Sequence, residues 1–121
     1  MKLDYEAVLT KYPWVIEKGH NCILSPDSDG LLCGLFMSHY LSWKVRGFYD
    51  GKVLLAAKGT VPRDCVFLDM EIYREGVRSI GQHMLLFDKK HPPKGWGAFE
   101  QSISPNNLHG YDFKNDFKSK Y

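Results

Sequence analysis

The chain has 121 residues with a net charge of +2, and 44% of them are hydrophobic, which suits one domain around one modest core. No apolar run approaches the roughly 20 residues that span a bilayer, and Met1-Lys2-Leu3-Asp4-Tyr5-Glu6 lacks the apolar stretch of a signal peptide. The charge is too small to argue for nucleic acid by itself, and the expectation is a cytoplasmic protein with no membrane partner.

In chain order, Leu3, Val8 and Leu9 recur at helical spacing until Pro13 interrupts them, so a helix is predicted over 3–11 and a turn before Trp14. Gly19-His20-Asn21 is a break. Cys22-Ile23-Leu24 is a short apolar run ended by Ser25-Pro26-Asp27, the pattern of a buried strand. From Gly30 to Trp43 the apolar residues fit a period near 3.6, which predicts the strongest helix of the chain with Asp29 as its N-cap. Residues 44–49 alternate and meet Asp50-Gly51, a turn dipeptide, so 53–57 reads as the returning strand of a hairpin or a short independent element. Cys65-Val66-Phe67-Leu68 is a further buried strand that ends on Asp69, and a strand is predicted over 77–87.

Beyond Asp88 the chain turns to Pro92-Pro93-Lys94-Gly95 and Ser104-Pro105-Asn106-Asn107, with Lys89, Lys90, Lys114, Lys118 and Lys120 making it basic. The division expected is a helical segment over 1–20, an α/β core over 21–88 and a loop-rich, basic, aromatic tail over 89–121. Apolar strands separated by a helix favour a mostly parallel sheet of about four strands flanked by helices. Cys22, Cys33 and Cys65 lie in apolar segments without a C-x-x-C pair, which reads as reduced, buried thiols.

Ligands of such sheets collect at the carboxyl ends of the strands, and two of the predicted strands end on acids. Asp27 and Asp29 follow the first, two residues apart, which in extended chain puts both on one face. Asp69 and Glu71 follow the later one. Converging carboxylates repel unless a proton or cation lies between them, and Mg²⁺ or Mn²⁺ takes oxygen ligands of this kind. The plainer alternative is turn-forming and helix-capping acids. His83 supplies a candidate imidazole ligand, whereas His20, His91 and His109 fall in breaks and carry no assigned role.

Pro26-Asp27-Ser28-Asp29-Gly30 opening a helix, an apolar strand ending on Asp69, and the segment around Gly81-Gln82-His83 together resemble the DHH phosphoesterase superfamily. That resemblance covers residues 21–88. It implies a metal-dependent phosphodiesterase acting on a nucleotide or oligonucleotide, with Mn²⁺ or Mg²⁺ as cofactor. It also implies Asp27, Asp29, Asp69 and His83 as catalytic metal ligands. Ile23 stands where the family's first motif begins with histidine, and Gly81-Gln82 replaces the first two residues of the Asp-His-His signature. With those ligands replaced, a single ion or none fits better than two.

A catalytically depleted relative that binds a protein or nucleic-acid partner is the second reading. In it Trp96, Phe99, Tyr111, Phe113, Phe117 and Tyr121 of the tail supply stacking or anchoring groups. Asp27-Ser28-Asp29-Gly30 also resembles the Asp-x-Asp turn of haloacid-dehalogenase-like phosphatases, in which Asp27 would be the nucleophile and Asp29 the general acid.

Overall fold

The computed structural model describes residues 3–82 and 100–108. Asp4 caps the first helix, α1 (Tyr5–Lys11), by accepting from the Ala7 N–H. Pro13, which cannot continue that ladder, opens a 3₁₀ turn over Pro13–Ile16 that buries Trp14. Strand β1 (Asn21–Leu24) follows, then helix α2 (Ser28–Leu41), strand β2 (Lys44–Tyr49) and strand β3 (Leu54–Ala56). The later strands are β4 (Val66–Leu68), β5 (Arg78–Ile80) and β6 (Ser102–Ile103), and a short helix α3 (Pro105–Leu108) comes after them.

The sheet has six strands in the order β3-β2-β1-β4-β5-β6. All neighbours are parallel except β2 and β3, which form the antiparallel hairpin announced by Asp50-Gly51. The α/β class and the mostly parallel pairing agree with the sequence. The number of strands does not: six replace about four. The sheet is widened at its two edges by the exposed three-residue β3, which falls where a returning strand or short independent element is read, and by the two-residue β6, too short to carry a hydrophobic pattern of its own. Strand β6 lies within the stretch that composition alone describes as loop-rich tail, and its register is supplied by β5, with Ser79 facing Ser102 and Ile80 facing Ile103. The strand predicted over 77–87 is three residues long among the described residues, and 83–87 lie outside them.

Alternation along β1 and β4 divides the core. Cys22, Leu24, Val66 and Leu68 face one side, where Tyr12, Trp14, Trp43 and Ile103 join them beneath α1 and α2. Ile23 and Phe67 face the other, with Cys65, Met70 and Val77. A period of two on strands that are buried on both faces produces this division. Trp43 ties the start of β2 to the segment before β1 by donating its indole N–H to the Glu17 carbonyl at 2.7 Å and meeting the His20 ring edge-on at 5.3 Å.

Burial pushes the Cys22 thiol up to about 11, with Cys65 adding in the same direction, from an ordinary value of 9.0. The unfolded chain therefore loses that proton first, so the folded state binds more protons than the unfolded state between pH 9 and about 11. Stability is full below that window and falls as the pH rises through it, by on the order of 2–3 kcal/mol from this thiol. Urea melts across the window should show the fall in the wild type and a shallower one in Cys22→Ala. Equal slopes in the two proteins would refute the assignment.

Candidate functional site at the carboxyl ends of β1 and β4

The chain leaves β1 toward β2 on one side and later returns to β4 on the other, so β1 and β4 flank the point where strand order reverses. In open α/β sheets the crevice outside the strand ends at this reversal is the usual place for a ligand. Two of the predicted acids stand there. Asp27 follows β1 and Asp69 follows β4, while Ser25 lies between them and extends the β1–β4 pairing through its N–H to the Leu68 carbonyl at 3.3 Å.

The Ser25 hydroxyl oxygen lies 2.9 Å from Asp27 Oδ1 and 2.7 Å from Asp69 Oδ2. A serine hydroxyl has one proton to donate, so the two carboxylates share a single donor. This places both of them against one oxygen. Asp69 is held in the left-handed region with φ +63°, which aspartate tolerates better than most residues. Backbone in sparsely populated regions concentrates at functional sites.

Asp27, not Asp29, is the N-cap of α2. Its backbone is extended and its Oδ1 accepts the Gly30 N–H at 2.9 Å. The helix consequently starts two residues earlier than the apolar period predicts, and Asp29 falls within its first turn. Asp27 and Asp29 are therefore not an extended i, i+2 pair on one face. Asp29 sits where a negative charge is favoured by the positive end of the helix dipole. Because α2 begins directly after Asp27, the chain has no room here for the flap of a haloacid-dehalogenase-like phosphatase.

Cys33, one turn further along α2, senses the group. Its thiol is pushed up by burial first, then by the charges of Asp69, Asp29 and Asp27 in that order. The three aspartates thus act on one half-buried sulfur. Cys33 and Asp69 line a cavity of about 280 Å³ together with Leu68, Ile80, Gly81 and Gln82. Gly81 stands so close to Met70 that a Cβ there would lie 2.5 Å from the Met70 backbone. Gly81 and Gln82 thus line this cavity beside Asp69, while Ser25, Asp27 and Asp29 do not border it and His83 lies outside the described residues. Glu71 takes a different course: it is fully buried and accepts a hydrogen bond from the Tyr73 hydroxyl. A larger hollow of about 500 Å³ lies elsewhere, lined by Tyr49, Leu54, Phe67, Ile72 and Val77 with Arg63 and Arg74, and none of the three aspartates borders it.

Among the described residues no group of three or more His, Cys, Asp or Glu side chains is arranged to hold a metal ion. The oxygen donors at the strand ends nevertheless suit a hard cation. Mg²⁺ commonly binds through one or two carboxylates, with water and substrate phosphate completing its octahedron. Asp27 and Asp69 are two carboxylates, fewer than a cage built wholly from protein would need.

Sequence reasoning missed Ser25 and Cys33. Ser25 was legible only as turn chemistry, since its role depends on Asp69, which is 44 positions away. Cys33 reads as a core thiol from its apolar neighbours. In comparison with known proteins, no family model matches the chain, and neither a curated protein nor a solved structure matches it. No helix among the described residues is long and apolar enough to cross a membrane.

Proposed function

We propose that this domain is a DHH-like, divalent-metal-dependent phosphoesterase acting on a nucleotide or oligonucleotide phosphodiester at the β1–β4 crevice. The observation that supports this reading is the Ser25 hydroxyl held between Asp27 and Asp69 at adjacent parallel strand ends. In this proposal Asp27 and Asp69 hold a single Mg²⁺ or Mn²⁺, and Asp29 adds negative charge beside it. The ion would polarise a phosphoryl oxygen and offset the repulsion between an acidic crevice and a phosphate. Ser25 brings both carboxylates to one hydroxyl, and the first turn of α2 presents backbone N–H groups toward anions. His83 remains a proposed third ligand.

The absence of a three-ligand group among the described residues favours a second reading, a catalytically depleted relative that binds nucleic acid or a protein partner. Cation binding and hydrolysis separate the two. Cys33 gives a readout that needs no turnover, because a cation held by the aspartates would offset the part of its upward shift that their charges add to burial. The midpoint of its pH-dependent alkylation should move down when Mg²⁺ is added, and move down without Mg²⁺ in Asp69→Asn. Hydrolysis of a generic phosphodiester should require the metal and fall on the order of 100-fold in Asp69→Asn. Metal-sensitive alkylation without hydrolysis would leave the depleted relative as the correct reading. No Mg²⁺ response at all, in calorimetry or alkylation, would remove the metal site.

A further inference from the structure

Helix α2 is apolar on both sides. Its inner residues Cys33, Met37 and Leu41 pack on the core beneath it, as a helix lying on a sheet must. Its outer side carries Leu31, Leu32, Leu35, Phe36 and Tyr40, each between 52% and 64% exposed. No Asp, Glu, Lys or Arg occurs from Gly30 to Ser42. The solvent side of a surface helix is ordinarily polar, and a contiguous run of large apolar side chains marks an interaction surface.

We propose that this stripe is the contact face of a two-fold homodimer, in which α2 packs against α2 of a second copy. Three features favour a second copy over a different partner. The stripe is uncharged, so it needs no oppositely charged surface and can be its own complement across a two-fold axis. Its residues form two i±4 rows, Leu31–Leu35–His39 and Leu32–Phe36–Tyr40, with a groove between them. Two such helices interlock row into groove at an angle of about −50°. The size is also suitable: the five side chains present on the order of 600 Å², and exposed Ser28, Ser38 and His39 extend the footprint toward the about 800 Å² per partner of a stable interface. Phe36 and Tyr40 are already in contact, with ring centroids 4.7 Å apart and planes tilted by 49°, an aromatic pair of the kind that anchors interfaces.

Sedimentation equilibrium of the full chain tests this. The wild type should be dimeric at about 10 µM, with a dissociation constant in the micromolar range or below. Phe36→Glu should weaken the dimer about 30-fold or more while leaving the far-ultraviolet circular dichroism unchanged, because the side chain is outside the core. Leu32→Lys is the second variant should the first fail to fold, and it should weaken the dimer in the same direction. A wild type that stays monomeric at about 100 µM overturns the proposal, and the face then belongs to other residues of the same chain or to a different protein. A dimer unaffected by either variant overturns it as well, by moving the interface elsewhere.

Discussion

Gly30→Ala is expected to lose about 3 kcal/mol of stability and, with it, the Mg²⁺ response of Cys33. A Cβ at position 30 would stand 2.2 Å from the Ser25 carbonyl oxygen and 2.3 Å from the Ser25 hydroxyl oxygen. The hydroxyl is the atom that both carboxylates contact, and the carbonyl belongs to the main chain leaving β1. Rotating the serine side chain relieves one clash and leaves the other, so the strand end or the first turn of α2 must move. Either movement separates Asp27 from Asp69. Chemical melts would report the stability loss, and the alkylation midpoint of Cys33 would report the site. A Gly30→Ala protein with wild-type values of both would mean that the crevice is not as tightly closed as the close approach requires.

Trp43→Ala is expected to cost about 4 kcal/mol, a large share of the 5–15 kcal/mol that holds a domain of this kind together. The indole is 1% exposed and closes the end of the main core cluster, where β2 begins. Its loss leaves a cavity and also removes the donor that the Glu17 carbonyl accepts. For a chain of this length the thermal midpoint should fall by about 15 °C. Trp43→Phe, which keeps a ring but not the N–H, should fall between the two. If Trp43→Ala melted within a few degrees of wild type, the assignment of Trp43 as a keystone of the main core cluster would be wrong.

The two substitutions probe different kinds of information. Trp43 is recognisable in sequence as an aromatic at the end of an apolar helical run, where burial is the ordinary outcome. The need for glycine at position 30 is not recognisable there, because it arises from the approach of Ser25 across the turn. The same division runs through the candidate site. Three aspartates at strand ends were legible, since apolar runs ending on acids mark them. That Asp27 rather than Asp29 caps α2 was not, because the apolar period of the helix starts at Leu31 while its hydrogen-bonded turn starts earlier. Asp69 was legible as an acid after a strand, but its left-handed backbone and its contact with Ser25 were not. The DHH resemblance rests on motif order, and it remains a proposal about the chemistry of this crevice.

By itself, then, the sequence determined the local elements: β1, α2, the β2–β3 hairpin and β4. Continuous or alternating apolar runs bounded by Pro, Gly and Asp leave few other conformations with buried side chains and paired backbone. The tertiary structure alone decided the order of the strands, and with it which acids meet. Parallel pairing joins segments tens of residues apart, so β1 acquires β4 as a neighbour through packing on both faces and not through any local signal. It also recruited β6, whose two residues form a strand only because β5 offers them an edge. Last, it left the outer side of α2 uncovered among the described residues. A helix apolar all round has to be buried on both sides, and the sheet supplies only one of them.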